Sequence, residues 1–71
     1  MNNWIIEIVL GSEHSRRYLE NYTNQAIITL NPQNAKTFYN KFTAEHYLEQ
    51  NQNLNKYMPR TVPLEQAIRH A

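Results

Sequence analysis

Apolar positions near the start of the chain are consecutive instead of alternating. Trp4-Ile-Ile-Glu-Ile-Val-Leu10 contains a single charge and is dominated by β-branched side chains. Such a run predicts a strand buried on both faces or nearly so, with Trp4, Ile6, Ile8 and Leu10 on the drier, core-directed face. Glu7 then shares the alternate face with Ile5 and Val9. Gly11 to Ser15 follows, and the chain's only glycine stands where a tight turn asks for positive φ, so a hairpin loop of about four or five residues is expected there. Arg16, Tyr18, Glu20 and Tyr22 alternate with Arg17, Leu19 and Asn21, the pattern of a half-exposed strand pairing with the first, although a helix fits this segment too. Tyr22 to Gln25 reads as a turn. Ala26-Ile-Ile-Thr-Leu30 is again β-branched and stops at Asn31-Pro32, a turn initiator, completing a meander.

Two readings stay open for Asn34 to Lys41: one helical turn, or a short extended piece carrying Phe38 into the core. Thr43 has the chemistry of a helix N-cap, and Phe42 before it could pack on Tyr47 as a hydrophobic staple, so a helix is expected from Ala44 to about Asn53, roughly 16 Å long. Ala44, Tyr47, Leu48 and Leu54 supply its apolar stripe, while Glu45, Glu49 and Gln52 face water. Tyr57 to Pro63 cannot be a central strand, because Pro59 and Pro63 lack the N–H that a ladder needs; an edge strand or extended arm remains. Pro63 could also open a short helix over Leu64 to His70, with Leu64, Ala67 and Ile68 on one face.

The expected fold is therefore α+β: a small antiparallel sheet of roughly three to four strands, one helix packed on one face, and a C-terminal arm that could be helical. Residues 1–71 form one domain, with sheet and helix in 1–58 and the arm in 59–71. Its core should comprise Trp4, Ile6, Ile8, Leu19, Ile28, Leu30, Phe38, Ala44, Tyr47 and Leu48.

Composition narrows the function classes. A chain of 71 residues buries only about 60% of the surface it exposes when unfolded, so it leans on partners. With no cysteine it has no disulfide framework, thiolate metal site or thiol nucleophile. Apolar runs fall short of the roughly 20 residues of a membrane span, and a signal-peptide pattern is missing, so a soluble, cytoplasmic protein is expected. The net charge is +1, and the seven basic residues are dispersed apart from Arg16–Arg17, leaving no continuous stripe for phosphates. Asn and Gln are abundant while Asp is absent, which suits hydrogen-bonding surfaces and follows equally from a biased genome.

Chemistry is sparse. His14, His46 and His70 have no partners at ligand spacing, and Glu45 next to His46 points elsewhere on a helix, so no metal site and no cofactor are expected. His14 between Ser12 and Ser15 lacks a buried orienting group, so no catalytic residue is assigned and the chain is read as a non-enzyme. Aromatic and basic residues do interleave, in Arg16, Arg17, Tyr18 and Tyr22 and again in Lys36, Phe38, Tyr39 and Lys41. Tyr, Trp, Met and Arg favour interface cores, and Tyr18, Tyr22, Tyr39, Tyr57 and Met58 exceed what a small core absorbs. Arg16, Arg17, Tyr18 and Tyr22 form the candidate partner-binding set. A partner protein is the first reading, a homodimer through the second or third strand is compatible with it, and a single-stranded nucleic acid stacked on the same residues is the alternative.

The segment Ile28 to Leu48, with Ala35, Phe38, Ala44 and Leu48 as core positions, resembles small proteins of bacterial phages and prophages in which a hairpin precedes an Ala-Lys-x-Phe segment and a capped helix. The likeness spans Trp4 to Leu54 and implies an α+β unit of mobile-element origin. Proteins of that kind often bind host or phage proteins, inhibitors of host defence such as anti-CRISPR proteins among them; by analogy, this chain would occupy a partner's surface.

Overall fold

A computed structural model of the chain describes residues 3–8 and 16–69. Within them, β1 (Trp4–Ile8), β2 (Arg17–Tyr22), β3 (Ala26–Thr29) and β4 (Pro59–Pro63) make an antiparallel sheet in the order β3-β2-β1-β4. Two helices, α1 (Lys41–Gln50) and α2 (Leu64–Arg69), and two 3-10 segments, Pro32–Asn34 and Gln52–Tyr57, complete the small α+β fold. Val9, Leu10 and the expected hairpin loop Gly11 to Ser15 lie outside the described residues.

The unbroken apolar run of β1 is explained by cover on both faces. On one side Ile6 and Ile8 pack with Leu19, Phe38, Ala44 of α1 and Leu54 of the second 3-10 segment. On the other, Ile5 packs with Tyr18, Ala35, Val62 and Ala67 of α2. The residues expected to form an appended arm thus supply an edge strand and part of the second layer. Ile5, on the face expected to be wetter, is fully buried.

Proline in β4 is accommodated by the pairing parity of β1. Trp4 and Phe38 exchange both backbone bonds, at 2.9 and 2.7 Å, so the polar groups of Trp4 point away from β4. In an antiparallel ladder only alternate residues face a given neighbour. Ile8 has the same parity as Trp4, and Pro63 lies opposite Trp4 while Pro59 lies opposite Ile8. Both prolines therefore fall where β1 asks for no donor.

The ambiguous stretch before α1 is neither a helix nor free. Asn31 Oδ1 accepts from Gln33 N–H to open the Pro32–Asn34 turn. The chain then runs extended, with Lys36 N–H donating to Leu19 C=O at 2.9 Å and Phe38 bridged to Trp4. It fills the notch where β2 parts from β1.

Helix α1 begins three residues before the expected start. Asn40, not Thr43, is the cap: its Oδ1 accepts from Thr43 N–H at 2.8 Å and from the Thr43 hydroxyl at 2.9 Å. The Phe42–Tyr47 staple does not form. Phe42 is exposed and stacks on His46, one turn along, whereas Tyr47 packs on Phe38 with centroids 5.2 Å apart. The helix ends at Gln50, and Asn51 caps it by donating to Tyr47 C=O from both its backbone and its side chain. The next segment is a 3-10 helix that carries Leu54 into the core and ends at Met58 in the left-handed region, φ 53°.

Two expected core residues are not in the core. Ile28 is 37% exposed and Leu30 69%, because β3 lies beyond the reach of the covering helices. Tyr47, Leu48 and Trp4 are only partly buried, packed around the α1-side cluster.

Candidate interaction surface

Strand β2 was expected to present Arg16, Tyr18 and Tyr22 together. A β-bulge separates them. Leu19 pairs with Ile28 and Asn21 with Ile27, consecutive residues of β3, so Glu20 is the extra residue. An extra residue inverts the alternation beyond it. Tyr18 therefore lies on the α2 side of the sheet and Tyr22 on the α1 side with Leu19. Tyr18 is also only 1% exposed and is a core residue, not a contact residue. Burial, helped by the nearby Glu7 carboxylate and opposed by Arg16, pushes its phenol above the ordinary value of 10.0.

The two arginines diverge as well. Arg16 approaches Glu7 at 3.6 Å, and Arg60 reaches the same carboxylate from β4 at 2.8 Å. Glu7 is the buried charged residue of the described chain, and the two guanidiniums neutralise it at the sheet surface. Arg17 is opposite Ile8, which places it on the α1 side. The predicted quartet is thus one core tyrosine, one ion-paired arginine, and two residues, Arg17 and Tyr22, that share the α1 side.

That side has its own pattern. Lys36 lies 5.6 Å from the Tyr47 ring centre and 6.0 Å from that of Phe38, Lys41 lies 5.9 Å from Trp4, and Lys56 lies 5.2 Å from Tyr57. Among the described residues Arg16, Arg60 and Arg69 have carboxylate partners, whereas Arg17, Lys36, Lys41 and Lys56 have none. A shallow groove between the β2–β3 turn and the second 3-10 segment is lined by Tyr22, Asn24, Gln25, Asn53, Lys56 and Tyr57.

The feature missed in the sequence is the free edge of β3. Of the other described elements, β2 alone packs closely against this strand. Thr23 N–H donates to Gln25 C=O across the turn at 3.4 Å, so Gln25 faces β2, and the alternation then turns Ala26 and Ile28 outward and Ile27 and Thr29 inward. The other end agrees: Leu19 faces β1 and accepts from Lys36, so Tyr18 faces β3 and pairs with Thr29. The N–H and C=O groups of Ala26 and Ile28 are consequently directed off the sheet. Ile27, 40% exposed, lies on the α2 side and Ile28 on the α1 side. Leu30 extends this apolar margin. The strand holds no proline and no charge, and among the described residues no segment pairs with its outer edge, in contrast to β4 with Pro59, Arg60 and Pro63. An uncharged, β-branched edge with apolar side chains partly exposed on both faces is a usual seat of strand addition.

No family model, no curated protein and no solved structure matches this chain. Among the described residues no helix is long and apolar enough to cross a membrane.

Proposed function

We propose that this chain is a non-enzymatic protein-binding module that docks on another polypeptide by adding a strand to the open edge of β3. The observation that supports it is the pairing parity: the N–H and C=O groups of Ala26 and Ile28 leave the sheet along an uncharged strand with a partly exposed isoleucine on each face. Backbone bonds would supply affinity, and the Ile27 and Ile28 side chains would be the apolar anchors. The likeness to phage and prophage proteins extends the proposal to the kind of partner, a host or phage protein, inhibition of a defence system included. Affinity capture with wild type and with Ile27→Lys tests the surface: partners held by the wild type and lost from the variant support it, and capture that Ile27→Lys leaves intact contradicts it.

A second reading rests on the α1 side, where Lys36, Lys41 and Lys56, without carboxylate partners among the described residues, lie over aromatic rings. That is the chemistry of a single-stranded nucleic-acid platform. Titration with an oligonucleotide at two salt concentrations decides it: affinity that falls steeply with added salt, and more weakly for Lys56→Glu, supports this reading, and a flat response removes it.

A further inference from the structure

We infer that the strand added to β3 is the β3 of a second copy of this chain; the inference rests on the strand-addition reading and names its partner. Antiparallel partners must both direct their backbone groups at each other, so Ala26 and Ile28 can pair only with residues of the same parity. Placing Ile27 on a two-fold axis satisfies this: Ala26 of each copy meets Ile28 of the other, and Ile27 meets its own counterpart. Every outward N–H and C=O of β3 then has a partner, with no group of the four-residue strand left over.

Composition fits self-pairing as well as geometry does. Ala26–Thr29 has no charge, so a strand meeting itself suffers no like-charge repulsion. The central Ile27 pair is of the non-hydrogen-bonded kind, in which side chains approach most closely, and it would cover an isoleucine that is 40% exposed in the single chain. Ile28 would lie beside the small Ala26 of its mate. The opposite edge could not substitute, because Pro59 and Pro63 withhold donors at its outward positions. A two-fold axis perpendicular to the sheet also leaves both α1 helices on one side, so the dimer would carry the lysine and aromatic face twice, side by side.

The test is sedimentation or light-scattering mass of the purified full chain, whose monomer is 8.5 kDa, for wild type, Ile27→Lys, Ile27→Glu and an equimolar mixture of the two variants. Self-pairing predicts a dimeric wild type, monomeric single variants with wild-type circular dichroism, and recovery of the doubled mass in the mixture, where opposite charges meet on the axis. Ile28→Pro is the second probe: it deletes an N–H that points off the sheet and makes no bond among the described residues, so it should keep the fold and lose the dimer. A dimer that survives both Ile27→Lys and Ile28→Pro overturns the inference. So does a wild type that remains monomeric at every concentration. In that case capture of a foreign polypeptide that Ile27→Lys abolishes would retain strand addition with another partner, whereas capture insensitive to Ile27→Lys would overturn both readings.

Discussion

Arg60 grips Glu7 from the neighbouring strand: its Nε donates to Oε1 of the buried carboxylate at 2.8 Å, and its Nη2 lies 2.8 Å from the same oxygen. Register makes the pair, since Glu7 and Arg60 are directly opposed in the β1–β4 ladder and share the α2 side of the sheet. Arg16 adds a weaker contact from the start of β2. A charge in the middle of an apolar run is thereby tolerated, and the edge strand β4 is tied to β1 by side chains as well as backbone.

Removing Arg60 leaves that carboxylate with a single, more distant cation. Arg60→Ala should destabilise the chain by about 1–3 kcal/mol, less than for breaking a fully buried pair because the guanidinium is more than half exposed. Adding Glu7→Met should return most of the loss, as an apolar side chain needs no counterion. Urea denaturation of the single and double variants measures both effects.

Capping chemistry separates two neighbours that look equivalent. Asn40→Ala should cost about 1 kcal/mol, because its carbonyl oxygen serves the Thr43 N–H and hydroxyl together. Thr43→Ala loses only the hydroxyl contact and should cost less. Thermal melts of the two variants give the order.

Tyr18 should make stability depend on alkaline pH. A phenol whose folded pKa is raised holds its proton more tightly in the folded chain, so its contribution is complete below the unfolded value near 10 and is lost as pH rises through the folded one. Tyr47, also raised by burial, acts in the same sense. Denaturation midpoints should fall above about pH 10 and fall less in Tyr18→Phe. Arg16→Ala, which removes the cation favouring the phenolate, should move the Tyr18 titration still higher, as ultraviolet absorbance can follow.

Met58 is exposed and adopts φ 53° after the second 3-10 segment. A side chain in the left-handed region costs about 1–2 kcal/mol, and glycine avoids most of that while giving up little packing here. Met58→Gly should raise stability by up to about 1 kcal/mol in the same denaturation assay.

The sequence declares those parts of the fold that depend on short-range pattern. The β-branched runs of β1 and β3, the stop at Asn31-Pro32 and the edge character of the Pro59–Pro63 strand all follow from local sterics and missing donors. What was illegible depends on pairing. Glu20 looks like any exposed strand residue until the β2–β3 register makes it a bulge, and that single step moves Tyr22 to the opposite side from Tyr18. Asn40 and Thr43 are both good caps, and the choice went to the residue that leaves Lys41 and Phe42 helical. Ile28 and Leu30 read as core because apolar residues of a β-branched run usually are; their exposure comes from the limited span of α1 and α2 over the sheet, which no local pattern encodes.

Amide hydrogen exchange across β3, in purified protein at low and high concentration, tests the open edge most directly. The account predicts that the Ala26 and Ile28 amides exchange quickly when dilute and gain protection as concentration rises, while the inward Ile27 and Thr29 amides stay protected throughout. Outward amides already protected when dilute would contradict the open edge, and outward amides that exchange equally fast at every concentration would contradict self-pairing.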